Sequence, residues 1–214
     1  EFGEEQKKMQ AFLKSPEWKR TTAQGWGVNR AETAEIFTAN QMYIRKFPDR
    51  AASLLGKLHC QHYGLPSFGK RLAAATREFV PFSGDPAGWF AQNGRFTDFS
   101  GKTIELPERT FATHTSGKYT AARVPLLDVI AEVLRQPDEV WLNNYDGKAF
   151  DCLNYIRFYR DKAINVVCRI ENGKTLAVRT WFEIAIRPTT RSGGKIAPEK
   201  DPRLKYRRGL LVKK

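Results

Sequence analysis

The order of elements readable in the sequence is that of an α+β protein, and three observations predict it. The first third of the chain carries apolar residues at helical spacing. Residues 125–134 repeat that spacing behind a proline. From 139 to 182 the chain instead alternates every second residue between short turn signals. Strands joined by tight turns pair antiparallel, so the expected sheet is a meander.

Taken in order, residues 3–14 read as a short helix or the end of a linker, and Trp18 and Gly25-Trp26-Gly27 interrupt any period. In 30–47, Ala31, Ala34, Phe37, Met42 and Ile44 fall at helical spacing until Pro48 stops the run. Asp49 is placed to cap a second helix carrying Ala52, Leu54, Leu55 and Leu58. Residues 66–79 read as helix again through Leu72, Ala73, Ala75 and Phe79. The Gly- and Pro-dense stretch 80–88 marks a boundary. Residues 1–79 are therefore expected to be a helical linker or delivery-associated region, and 80–214 a second domain.

Residues 89–106 are aromatic and turn-rich, with a short strand expected at 102–106. In 125–134 the apolar positions 126, 127, 130, 133 and 134 share one helix face, with Pro125 suited to the first turn and Pro137 closing the far end. Strands are expected at 139–142, 153–159, 163–170 and 176–182, with turns at Asp146-Gly147, Arg160-Asp161 and Asn172-Gly173. Residues 188–202 read as a basic loop and 208–212 as a last strand. Trp141, Trp181, Cys152 and Cys168 read as core residues.

With 214 residues, 41% of them hydrophobic, the chain can bury a real core. No apolar run approaches ~18 residues, so no membrane span is expected. No segment resembles a signal peptide, and the opening Glu1-Phe2-Gly3 reads as a fragment of something longer. Three cysteines make no disulfide framework and suit action in a reduced cytosol. The net charge of +13 is unevenly placed. Residues 1–79 carry 13 Lys/Arg against 8 Asp/Glu, residues 80–186 carry 13 against 13, and residues 187–214 carry 10 against 2. The excess of eight in the last stretch is a basic edge suited to a phosphate backbone.

Chemistry is expected to centre on His114-Thr-Ser-Gly-Lys118-Tyr119 with Arg123, a polar loop around one of three histidines. His59-Cys60-Gln61-His62 offers two histidines one helical turn apart, but a zinc site needs about four ligands and no second pair exists, so no metal is expected. Ser192-Gly-Gly-Lys195 is a flexible basic loop and lacks the P-loop pattern. No cofactor is expected.

His114-Thr-x-x-Lys118, Arg123, Leu134-x-x-Pro137-Asp-Glu-Val-Trp141, Tyr155-Ile-Arg-Phe-Tyr, Thr180-Trp-Phe and Arg208-Gly-Leu-Leu, in that order, resemble the phage-associated barnase–EndoU–colicin–RelE-like nuclease domains. Such domains end phage Mu F-like head proteins and polymorphic toxins. The resemblance covers about residues 90–214. It implies a helix packed on an antiparallel sheet and metal-independent cleavage of RNA, often tRNA. It further implies an injected or secreted effector acting in the cytoplasm of a target bacterium, held in check by an immunity protein that is expected to be acidic.

Such cleavage uses the ribose 2′-hydroxyl as nucleophile on the adjacent phosphate. It needs a group to take that proton, a group to protonate the leaving oxygen, and cations for the developing charge. His114 is the expected acid or base. Lys118 and Arg123 are expected to bind the phosphate, with Thr180 orienting it. Tyr119 or Tyr155 would hydrogen-bond or stack, and Arg203, Lys205, Arg207 and Arg208 would draw the RNA backbone. Two other readings stay open at this point. One is a non-catalytic nucleic-acid-binding or phage-head-associated module. The other is an ADP-ribosyltransferase-like toxin, against which no Arg/His, Ser-Thr-Ser, Glu-x-Glu series is found.

Overall fold

The computed structural model describes residues 60, 63–143, 152–171, 175–187, 189–190, 192–195, 203, 206–207 and 210–214. The helices expected in 1–59 and the turn at Asp146-Gly147 lie outside them.

The period-two segments become the long strands of one sheet. Strand β3 is Glu139–Asn143, β4 Cys152–Tyr159, β5 Lys162–Glu171 and β6 Thr175–Glu183, each antiparallel to the next. β4 is buried from end to end, so both of its faces are covered. Two further short strands, β1 (Arg95–Thr97) and β2 (Thr103–Glu105), extend the sheet at one edge, and β7 (Leu210–Lys213) closes the other. The order is β1-β2-β6-β5-β4-β3-β7. The meander expected over 139–182 forms, but the expectation of an all-antiparallel sheet is corrected at one place: β2 runs parallel to β6, through Ile104 opposite Leu176 and Glu105 opposite Ala177. A parallel pair needs a long crossover. Here residues 106–174 lie between the partners, a separation that periodicity cannot reveal.

One face of the sheet is covered by α2 (Pro86–Gln92), α3 (Glu108–His114) and α5 (Val129–Arg135), while α4 (Thr120–Arg123), which buries no side chain, lies beside β6. α2 starts because Asp85 accepts from the Gly88 amide and Pro86 stands in the first turn. It presents Trp89 and Phe90 to Phe111 of α3, the Phe90 and Phe111 rings stacking at 4.4 Å. α5 buries Val129, Ile130, Val133 and Leu134, roughly 1.5–3 kcal/mol for each side chain. The helix expected over 125–134 is therefore split: Val124–Leu126 is a tight 3-10 turn and the α-helix begins at Val129.

The other face is covered by α1 (Phe68–Ala74), whose Phe68 meets Phe158 edge to face at 5.4 Å. Helix was expected to continue to residue 79, but Ala75 is extended and the chain runs on as a strap. Tertiary contacts override helix propensity here. Arg77 pairs with Asp138 at 2.7 Å and its carbonyl accepts from the Arg160 amide, while the Phe82 amide reaches the Pro125 carbonyl at 2.9 Å. The segment 63–79 thus packs on the same sheet as the residues that follow it.

Beneath α1 lies a buried charge pair. Glu139 and Arg207 are both 0% exposed and share two hydrogen bonds of 2.8 Å. Glu139 also accepts from Arg71 and from the Trp141 indole, each at 3.0 Å, and Arg207 donates to the Pro66 carbonyl at 2.8 Å. Burial alone disfavours the guanidinium charge, but the bonds to Glu139 and its charge raise Arg207 above its ordinary value.

Cys60 lies in the same interior, its thiol donating to the Arg207 carbonyl at 3.6 Å. Burial pushes this thiol up to about 11, with Arg207 opposing and Glu139 reinforcing. Its folded value lies above the ordinary 9.0, so the contribution is complete below pH 9 and is lost as pH rises towards 11. Native protein at pH 8 is therefore expected to resist a thiol reagent at Cys60 until denaturant is added. Prompt labelling of the folded protein at that position would contradict the packing.

Candidate active site

The site is assembled along one edge of β6. Register shifts between Val167 and Cys168: Cys168 faces Val178 but Val167 faces Thr180, leaving Arg179 as an extra, exposed residue. Side chains alternate along a strand, and one inserted residue exchanges the faces beyond it. Trp181 therefore continues the helix-side row of Leu176 and Val178, and Thr180 and Phe182 turn to the opposite face. β2 accompanies β6 only at Leu176 and Ala177. Beyond the bulge, that edge has no strand beside it among the described residues, and α3 and α4 lie along it instead.

His114 is the last residue of α3, which corrects the expectation of a loop. Consecutive side chains near the end of this helix bond back one turn: Thr113, Thr115 and Ser116 donate hydroxyls to the carbonyls four residues earlier, of Arg109, Phe111 and Ala112, at 2.8–2.9 Å. His114 Nδ1 makes the same contact, 2.8 Å from the Thr110 carbonyl. A carbonyl only accepts, so Nδ1 carries the hydrogen and the neutral ring keeps its lone pair on Nε2. The imidazole is half-buried, 5.2 Å from the Trp181 ring and 5.9 Å from Tyr119. Gly117, at φ +57°, turns the chain in a left-handed conformation that favours glycine and begins the turn bearing Lys118 and Tyr119. Both are exposed, with the ammonium 5.1 Å from the tyrosine ring centre.

Arg123 meets Trp181 from the other side. Its guanidinium donates to the Trp181 carbonyl, and the Trp181 indole returns a 3.0 Å bond to the Arg123 carbonyl. The same guanidinium lies over the Phe182 ring at 5.2 Å. Arg123 and Thr180 share the wall of an open cavity of about 870 Å³, together with Phe79, Lys162, Phe182 and Tyr206. His114 does not line it. Trp181, 0% exposed, stands between, with His114 on its ring and Arg123 on its backbone. The expected quartet is thus brought to one strand edge but divided: His114 on the ring of Trp181, Thr180 and Arg123 in the cavity, Lys118 exposed on the turn between α3 and α4.

The remaining expectations are dispersed. Tyr155 is 1% exposed within the helix-side core and donates to Asp98 at 2.9 Å, so its ring has no face for a base. Burial first, then the charges of Cys168 and Asp98, raise its hydroxyl well above the usual range. Arg207 is enclosed with Glu139, so it does not reach a nucleic-acid backbone in this fold. Both are withdrawn as substrate contacts. Arg203 lies over Phe68 at 5.3 Å, held at α1. Lys205 and Arg208 lie outside the described residues, as do His59 and His62. Among the described residues, no three His, Cys, Asp or Glu side chains gather where they could hold a metal, and no helix is long and apolar enough to cross a membrane.

Lys162, Glu183 and Tyr206 were given no role from the sequence, and Phe182 entered only as part of the Thr180-Trp-Phe motif. Phe182 sat next to Thr180-Trp181, but its face depends on the bulge, which carries no turn residue to announce it.

The fold is a helix-covered α+β sheet with a histidine, cations and an aromatic-lined cavity beside one strand. The identification follows from the comparison with known families: residues 81–212 match the family described as phage-Barnase-EndoU-ColicinE5/D-RelE like nuclease 2, which spans more than half of the chain. The protein belongs to that nuclease family, and its substrate is nucleic acid. No curated protein and no solved structure matches it.

Proposed function

We propose that the protein is a metal-independent endoribonuclease that cleaves RNA by attack of a ribose 2′-hydroxyl on the adjacent phosphate. The observation that carries this reading is the orientation of His114. The Thr110 carbonyl holds the Nδ1 hydrogen, so Nε2 is the basic nitrogen, with the Tyr119 ring 5.9 Å from the imidazole and Trp181 between His114 and Arg123. Nε2 takes the 2′ proton as the 2′ oxygen bonds to phosphorus; the bond to the 5′ oxygen breaks, and that oxygen leaves with a proton from the imidazolium so formed or from water. Lys118 and Arg123 offset the charge that gathers on the phosphate oxygens, and Thr180 offers a hydroxyl to one of them. In this reading the RNA lies along the edge of β6 beside α3 and α4, where no strand lies beyond the bulge among the described residues.

Within this proposal the RNA is tRNA, cleaved in the cytoplasm of a target bacterium that the protein enters as a toxin. An acidic immunity protein protects the producing cell, as the +13 charge of the chain favours. The test is incubation of the purified protein with total bacterial RNA in excess EDTA, beside genomic DNA. Degradation of RNA alone is expected. Intact RNA at high enzyme concentration, or activity only after a divalent metal is added, would overturn the proposal.

A further inference from the structure

We propose that the cavity beside Arg123 is a subsite for one unpaired nucleobase, read by Lys162 and Glu183 and walled by Phe79, Phe182 and Tyr206. The inference rests on the reading of the protein as an RNA-cleaving enzyme and adds what it selects. The cavity's volume of about 870 Å³ lies in the range of sites for small organic ligands. Its walls are aromatic: Phe182 and Tyr206 meet with ring centres 5.0 Å apart, and Phe79 contributes from the strap. Ring walls suit a flat π-system and have little to offer a phosphate or a ribose.

The polar groups give the second argument. Lys162 opens β5, Glu183 ends β6, and the two form a 3.1 Å ion pair at the cavity wall, each about a third exposed. A cavity built only to hold a polyanion would gain nothing from a carboxylate, which repels phosphate. A carboxylate beside an ammonium presents acceptors next to donors, which matches the mixed N–H and C=O or ring-nitrogen edge of a base. That edge is occupied in a duplex, so the base must come from a single-stranded loop or be splayed out of its stack. Arg123 spans the two parts of the site, its guanidinium over Phe182 and its bond on Trp181. The selected base therefore lies next to the phosphate that is cut.

The test measures binding of the four nucleoside 3′-monophosphates, and of ribose 5-phosphate as the base-free probe, to the full chain by calorimetry. At least one nucleotide is expected to bind about tenfold more tightly than ribose 5-phosphate, the worth of one stacked base. Glu183→Gln is expected to change the ranking of the four bases, and its effect on ribose 5-phosphate affinity measures the charge effect common to all five probes. Phe182→Leu is expected to lower the affinity of all four. Melting curves of both variants establish that they fold. Equal binding of all five probes, or a ranking unchanged in Glu183→Gln, would overturn the subsite and identify Lys162–Glu183 as an ordinary cross-strand ion pair. Because binding is read without cleavage, base-selective binding by a protein that leaves RNA intact would uphold the subsite and remove only the catalytic reading.

Discussion

Replacing His114 by alanine is expected to lower RNA cleavage by about 10²–10⁴-fold, the usual worth of a positioned acid or base. The same change removes one hydrogen bond to the Thr110 carbonyl and a ring contact with Trp181. Because the ring is half-buried at the end of a seven-residue helix, the stability cost is about 1 kcal/mol. Activity and stability therefore separate, and the pair of measurements distinguishes a chemical role from a structural one. His114→Gln, which offers an amide near the Thr110 carbonyl but no titrating nitrogen, should remain as inactive as the alanine variant. If either variant cleaves RNA at the parent rate, His114 is a helix-end residue and the proton acceptor lies elsewhere.

The largest effect on stability is expected at Glu139. Glu139→Gln leaves the Arg207 guanidinium at 0% exposure without its counter-charge, and breaking such a pair costs about 3–5 kcal/mol. Arg207→Met should cost less, because Glu139 keeps Arg71 and the Trp141 indole. Chemical denaturation of the two variants measures the asymmetry. Equal losses, or a loss below about 1 kcal/mol for Glu139→Gln, would show that the pair is solvated. The result also bears on the role of the basic tail. An Arg207 that bound RNA would, when replaced, flatten the salt dependence of RNA affinity. An Arg207 that holds Pro66 and Glu139 leaves that slope unchanged in whatever fraction stays folded.

What was legible in the sequence was what repeats locally. The period-two runs of β4, β5 and β6 and the apolar face of α5 report burial one residue at a time, and the structure places them within a few positions of the spans expected. Trp141 and Trp181 were read as core and are both fully buried. The misreadings share another physical origin. α2 and α3 are seven residues each, two turns, too short to display a period, and their aromatic side chains are equally at home in a strand. The parallel pairing of β2 with β6 joins segments some seventy residues apart. The bulge at Arg179 decides which face Thr180 takes, yet it is a property of register between two strands and of no residue alone. Arg207 looked like its neighbours in a basic run, because nothing local marks a cation whose partner lies 68 residues away.

The same contrast holds at the site. His114, Lys118, Arg123 and Thr180 were visible as residue types suited to the chemistry. The division of labour around Trp181, with a histidine on its ring and an arginine on its carbonyl, arises only when α3 and α4 lie against β6. Two of the expected binding residues, Tyr155 and Arg207, were lost to burial for one reason: alternation and charge predict chemical character and leave depth undetermined.

The most direct measurement is the chemistry of the ends left on cleaved RNA. A 2′-hydroxyl attack with His114 Nε2 as base leaves a 2′,3′-cyclic phosphate on one fragment and a 5′-hydroxyl on the other, with EDTA present throughout. That pair of ends is the result expected. Fragments carrying a 5′-phosphate and a 3′-hydroxyl, or a substrate whose 2′-hydroxyl has been removed and is still cut at the same position, would contradict it.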